Sequence, residues 1–225
     1  LIYIGSNCNV VSSPTIKPKY VHKLYKLGLK HINPSFCIFE LFYFMNHHSK
    51  IDDSTLYDIR FKFGTLLAKN DVGRNLLLMN EDTIVVGSPN SGIAAGEGYA
   101  LSSGYKYAQC IKKTEGVGRT FILPTDEERQ TTCKKAFSIN AEAINNKNII
   151  IVDDTIVRGN TFKSLIEQIR EIATPKSIHV RIASPKIIDV CNLGIDLPTR
   201  EELVVHKTDH IEKYLNVDSI LFLSL

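Results

Sequence analysis

Residues Ile149–Leu165 read IIIVDDTIVRGNTFKSL. Four aliphatic residues lead into two adjacent carboxylates, Asp153 and Asp154. A polar turn with one arginine and one glycine follows, and then a helical pattern begins. A short apolar run bounded by polar turn residues predicts a strand buried on both faces. The turn after it delivers the chain to a helix N-terminus, whose free N–H groups and dipole favour an anion such as phosphate. Gly159 permits a tight backbone there, Thr155 and Thr161 offer hydroxyls, and Arg158 offers charge. Two neighbouring anions repel, so an acidic pair beside an anion pocket suits a ligand with both phosphate and hydroxyls, with a divalent cation nearby. A sugar phosphate fits. The turn has no GxxxxGK[ST] pattern and is therefore no Walker A loop. The plainer alternative is an Asp pair that only caps a helix.

The rest of the chain repeats this strand-then-helix grammar. TIVVGS, YKYAQCI, SIHVRIA and SILFL read as further short strands. A helix is predicted from Ser54 as N-cap, with Leu56, Ile59, Phe63, Leu66 and Leu67 inward. Another small-residue helix covers Ile93–Leu101, and a third covers Thr161–Ala173 with Phe162, Leu165, Ile166, Ile169 and Ile172 inward. KKAFSINAEAI reads as helical, CIFELFYF as a run of strand length, and Thr199 with Glu202 as a capping box opening a helix. The fold class expected is α/β, a mostly parallel central sheet with helices on both faces. In such sheets ligands bind beyond the carboxyl ends of the strands. Three loops leave those ends: Gly87–Gly92, Lys112–Arg129 and Asp153–Thr161.

Composition bounds the function classes. The chain has 225 residues, 44% hydrophobic and 23% charged, with a net charge of +3. That is enough for one sizeable core, and the small spread charge gives no reason to expect a nucleic-acid partner. No apolar run approaches the roughly 18 residues of a membrane span, so no membrane partner is expected. The start, LIYIGSNCNV, lacks an initiator Met and a signal-peptide pattern, and reads as the middle of a longer protein. Five widely spaced cysteines without a CxxC favour reduced thiols and a cytoplasmic setting.

The decisive stretch also carries a family resemblance. Four aliphatics, two aspartates, four residues, glycine and then a hydroxyl-bearing side chain after Asn160 resemble the PRPP-binding signature of type I phosphoribosyltransferases. VDDTIVRGNT (Val152–Thr161) resembles VDDSIVRGTT of the glutamine phosphoribosylpyrophosphate amidotransferase (amidophosphoribosyltransferase) family. VGRTFILPT (Val117–Thr125) resembles that family's flexible loop, VGRTFIxP. RIASPKI with LGIDLPTREEL resembles its C-terminal signature, CIFELFYF its CxFExxYF, and KIDDSTLYDIR its xIDGxxVYxAR. These motifs run from about Ser35 to the end in the family's order.

The resemblance implies a type I phosphoribosyltransferase fold over residues 35–225, with residues 1–34 a linker or remnant tail of a glutaminase domain not matched here. It implies joining ammonia to C1 of PRPP with release of pyrophosphate, the first committed step of purine synthesis. Asp153 and Asp154 then hold the ribose hydroxyls and, with Ser91, engage Mg2+. Thr155, Ile156, Val157, Arg158, Gly159, Asn160 and Thr161 form the 5′-phosphate loop. Asn90, Ser91 and Gly92 form the pyrophosphate loop. Arg119 and Thr120 sit on the loop that closes over PRPP, and Lys112 and Lys113 at its stem are expected to reach the pyrophosphate. Magnesium and basic groups stabilise the charge of the leaving group, and a closed loop excludes water. Neutral ammonia needs little help from a base, so no general base is assigned. Ammonia would come from a separate glutaminase domain or chain, purine nucleotides are the expected class of inhibitor, and a homo-oligomer is expected.

Departures from the family are also visible. Gly116 replaces an aromatic residue before VGRTF, Asn90 stands where the pyrophosphate loop usually carries Asp or Glu, and Asn160 replaces a threonine. Cys37 and Cys191 fall where two of four iron–sulfur ligands occur in some members. Two of four make no cluster site, and buried thiols are the simpler reading. A PRPP- or nucleotide-sensing domain without catalysis is the alternative, motivated by Asn90, Gly116 and the unmatched glutaminase domain. A salvage phosphoribosyltransferase is a third option, but Pro185–Pro198 follow the amidotransferase pattern. His47–His48 as a metal site, Lys17–Lys30 as an RNA face and GEGYALSSG as a dinucleotide loop each have a plainer reading. These are, in turn, a loop, a solvated linker, and glycines inside a helix.

Overall fold

A computed structural model of the protein describes residues 2–4, 10–12, 37–73, 81–114, 137–191 and 199–224. Two short antiparallel pairs come first, β1 (Ile2–Ile4) with β2 (Val10–Ser12) and β3 (Lys50–Ile51) with β4 (Ser54–Thr55). The helix α1 (Leu56–Gly73) follows. Then come β5 (Thr83–Gly87), α2 (Ile93–Ser103) and the two-residue β6 (Lys106–Tyr107). An antiparallel pair, β7 (Ile111–Lys113) with β8 (Phe137–Ile139), precedes the short helix α3 (Ala141–Ile144). The chain continues through β9 (Asn148–Asp153), α4 (Asn160–Ile172) and β10 (Ser177–Ile182). A 3-10 turn at Arg200–Glu202 leads into α5 (Val204–Lys207), α6 (Ile211–Leu215) and β11 (Ser219–Phe222).

Five of these strands form one parallel sheet in the order β11–β10–β9–β5–β6. Side chains along a strand alternate between faces, and β9 feeds both. Ile149 and Ile151 join the core under α4 with Phe162, Leu165, Ile166 and Ile169. Ile150 and Val152 join the core under α1 and α2 with Leu67, Ala95 and Tyr99. The expected doubly covered parallel sheet is therefore present. From β5 the chain moves to one edge at β6, and from β9 it moves the other way to β10 and β11. The connections thus diverge between β5 and β9, the topological switch point where open α/β sheets bind ligands. Among the described residues no helix is long and apolar enough to cross a membrane, and Cys37 and Cys110 are free thiols.

Local expectations failed in informative places. CIFELFYF is no strand: Glu40–Phe44 form a π-helical turn, with Phe39, Tyr43 and Phe44 packed ring against ring. KKAFSINAEAI divides into β8 and α3, with Asn140 as N-cap accepting from the Ala143 N–H. The cap of α1 is Thr55, one residue after Ser54. Thr55 Oγ1 accepts from the Asp58 N–H, and Asp58 accepts from the Thr55 N–H, a reciprocal box. Leu66 and Ile172, expected inside, are about half exposed at 48% and 47%. Leu56 and Leu67 are buried as expected, and Arg60, Gly64 and Ala68 complete the buried face of α1. Thr199 begins only the 3-10 turn, and its hydroxyl meets the Glu202 carboxylate rather than a backbone N–H.

Candidate active site

Two loops leave adjacent strands at the switch point and lie against each other. After β5, Gly87 to Gly92 turn into α2. The Ser88 N–H donates to the Val152 carbonyl at 2.8 Å, fastening this loop to the end of β9. Gly92 tolerates no side chain: a Cβ would collide with the Val152 carbonyl oxygen and lie 2.9 Å from the Asp153 Cα. The Pro89–Asn90 peptide is cis. Ser91 Oγ donates to Asp153 Oδ1 at 3.2 Å, and the Ser88 hydroxyl lies near enough to favour the charged form of this carboxyl. Ser88 was not singled out from the sequence. Its signal is the pair of serines three apart, which one turn brings beside the same carboxylate.

The acidic pair sits where its surroundings oppose ionisation. Asp154 is only 4% exposed. Burial raises the pKa of both carboxyls, and the negative charge of Asp153 raises that of Asp154 further, well above the ordinary carboxylate range. Backbone N–H groups resist this in part. The Asp154 N–H donates to Asp153 Oδ1 at 2.9 Å and the Thr155 N–H to Asp154 Oδ1 at 2.7 Å. Asp154 Oδ2 is buried with no hydrogen-bond partner among the described residues. Arg60, from the second turn of α1, is buried within electrostatic reach of Asp154. Its guanidinium donates to the carbonyls of Leu41 and Met45 at 2.8 and 2.9 Å. The sequence offered Arg60 only as the last letter of a motif, because its burial depends on the 37–45 segment folding over it.

From Thr155 the chain turns through Ile156 and Val157 to Gly159, whose φ of 80° is left-handed. Asn160 then opens α4. The Thr155 and Thr161 hydroxyls make no hydrogen bond to a described residue, and first-turn N–H groups have no partner within a helix. Arg158, expected to supply charge to an anion, turns its Nε to Glu202 Oε2 at 2.5 Å. Lys112 and Lys113 are exposed on β7, opposite Ser138 and Phe137 of β8, at the stem of the long loop as expected. Arg119, Thr120 and Gly116 lie outside the described residues. Ser91 and Gly92 thus stand beside the carboxylate pair, while Asn90 is exposed on the same loop.

Could the pair hold a divalent cation? Among the described residues no three His, Cys, Asp or Glu side chains cluster as a metal cage. Magnesium binds through one or two carboxylates and keeps waters and substrate phosphate oxygens as its other ligands. Two desolvated oxygen donors, one with an orphaned oxygen, fit that mode.

No family model matches the chain. It is 37% identical over 193 residues to the amidophosphoribosyltransferase of Drosophila melanogaster, covering 85% of this chain and 34% of the relative. The human enzyme is 37% identical over 196 residues, with 86% and 36% covered. The Archaeoglobus fulgidus enzyme is 37% identical over 191 residues, with 84% and 40% covered. Among solved structures, the B. subtilis glutamine PRPP amidotransferase complexed with ADP and GMP superposes with a TM-score of 0.71. It is 34% identical, and the match covers 86% of this chain and 41% of that one. The chain therefore spans between a third and two fifths of the length of the relatives it matches.

Proposed function

We propose that this chain, a relative of the amidophosphoribosyltransferases built on the type I phosphoribosyltransferase fold, binds PRPP at the β5–β9 switch point and transfers its phosphoribosyl group to ammonia. The observation that carries this reading is the juxtaposition of the two loops. Ser91 of the first loop bonds Asp153, and Asp154 leads directly into the second. The 5′-phosphate is assigned to the turn Thr155–Thr161, where first-turn N–H groups and two hydroxyls face an anion. The ribose hydroxyls are assigned to Asp153 and Asp154, for which each donated O–H would relieve part of the cost of a buried carboxylate. The pyrophosphate is assigned to Asn90, Ser91 and Gly92, where the absent Cβ lets the backbone approach.

Asp153 and Asp154, with Ser91, are the residues assigned to Mg2+, which when bound offsets the charge developing on the leaving pyrophosphate. The protein's own part is positional. The fixed Ser88–Val152 bond and the closely packed Gly92 hold the leaving group's loop against the sugar's loop. A reacting centre held between them needs little reorganisation. Lys112 and Lys113, with Arg119 and Thr120 beyond them, are assigned to covering the pyrophosphate. The ammonia source, nucleotide inhibition and self-association belong to the same proposal, as does a cytoplasmic setting. Binding of ADP and GMP by the B. subtilis relative supports nucleotide recognition.

The test is pyrophosphate release from PRPP and magnesium at alkaline pH, with ammonium chloride compared with glutamine. Release with ammonia supports the proposal. No release, with PRPP still bound by calorimetry, replaces transfer with sensing. Absence of PRPP binding removes the site assignment.

A further inference from the structure

The phosphate turn is held from one side by the segment after β10. Arg158 Nε donates to Glu202 Oε2 at 2.5 Å, and Thr199 Oγ1 reaches the other carboxylate oxygen at 3.4 Å. Two further contacts join the same segments: the Val204 N–H donates to the Val157 carbonyl at 2.8 Å, and Lys207 Nζ to the Arg158 carbonyl at 3.1 Å. Gly159 is closed in by the same segment, since a Cβ there would lie 3.2 Å from Val204 Cγ2 and 3.3 Å from the Tyr214 ring. The segment is anchored in turn. Arg200 forms a bidentate pair with Asp189 at 2.8 and 2.7 Å, and His206 Nε2 meets the Ile188 carbonyl at 2.8 Å.

These contacts tie the exit of β9 to the exit of β10. A turn that must present several N–H groups to one anion loses affinity if it samples other conformations, because ordering it then opposes binding. An arginine in such a turn is normally read as an anion ligand, yet here its Nε serves a carboxylate of its own chain.

We propose that Glu202 is a positioning residue, acting through Arg158 to hold the Val157–Gly159 turn in the shape that receives the 5′-phosphate. This rests on the PRPP reading above. Glu202 touches neither the sugar nor the leaving group, so its loss should weaken binding and leave the chemical step alone. The variants are Glu202→Gln, which keeps size and removes charge, Arg158→Ala, the double variant, and the reversal Arg158→Glu with Glu202→Arg.

Two readouts separate this proposal from the reading it rests on. The first is amide hydrogen exchange at residues 155–161 in ligand-free protein, which needs no substrate. The second is the KM-against-kcat split for PRPP. Glu202→Gln should speed exchange in the turn and raise KM about three- to tenfold, with kcat within about twofold, as fits a half-exposed pair. The double variant should be no worse than either single one, and the reversal should recover part of the loss. Faster exchange in a protein that never binds PRPP would sustain the clamp while sinking the PRPP reading. Unchanged exchange and KM in Glu202→Gln would overturn the clamp. So would a loss confined to Arg158→Ala, which would make Arg158 a direct phosphate ligand.

Discussion

Asp154 shows how function and stability are opposed at a single residue. Its carboxyl is buried, stands beside another carboxyl, and has one oxygen without a partner among the described residues. Its pKa is raised in the folded state, chiefly by burial and then by Asp153. Below the ordinary carboxylate value of 3.8 the group is protonated in both folded and unfolded chains and costs nothing. As pH rises above that value the unfolded chain releases the proton first, so stability falls until the raised folded pKa is passed. Asp154→Asn removes this slope and leaves an amide that can donate to Asp153. The ligand-free variant should melt higher than the parent at neutral pH and converge with it in acid. Each kcal/mol relieved would appear as about 2–4 °C. The same variant should lose magnesium-dependent PRPP binding and turnover, the usual exchange between a strained site and a stable one. Equal melting temperatures at neutral pH would show that the pair is not strained.

At the scale of elements, what the sequence made legible followed from burial on both faces of a strand. IIIV in β9 and IVV in β5 could only be central strands, and Asp153 and Asp154 could only be at a carboxyl end. Segments whose form depends on a partner were not legible. CIFELFYF has the composition of a strand, but it winds into a turn whose carbonyls at Leu41 and Met45 receive Arg60. Leu66 has the right spacing for the core but faces outward because the close approach of α1 to α2 runs through Gly64. That approach is reciprocal. A Cβ on Gly64 would land on the Ala95 carbonyl oxygen, and one on Gly98 would land on the Phe61 carbonyl oxygen. Both obstacles are backbone, so neither helix can yield locally. Gly98→Ala should therefore force the helices apart and cost about 1–3 kcal/mol or more, measured by urea denaturation. The loop assigned to pyrophosphate is the N-terminal lead of α2, so on that assignment KM for PRPP should rise with the displacement. Arg158 belongs to the same lesson, because its spacing suggested an anion ligand and only the fold reveals Glu202 beside it.

Across the whole molecule, one buried polar network joins the two helices on one face to the sheet beneath them. Asp71, near the end of α1, accepts from Arg181 Nε of β10 at 2.5 Å and from the Tyr99 hydroxyl of α2. Arg181 Nη1 continues to Ser219 Oγ of β11 at 3.1 Å, and Ser219 meets His179, which also meets Ser177. Asp71 and Arg181 are essentially inaccessible, at 0% and 2% side-chain exposure. A pair so deep is weak evidence of net stabilisation, since desolvation offsets much of the attraction. Removing one partner is a different matter, because it strands the other charge in the core. Asp71→Ala leaves Arg181 without its carboxylate and the Tyr99 hydroxyl without an acceptor. The expected loss is about 3–5 kcal/mol, a large share of the 5–15 kcal/mol of a typical domain. None of these residues lies in the loops assigned to PRPP, so the fraction that folds in the cold should keep its KM. Replacing Asp71 and Arg181 together by Leu and Met should recover much of the stability, because no charge is then stranded. If the double variant is as unstable as the single one, the network specifies the docking of α1 and α2 on the sheet rather than balancing a buried charge.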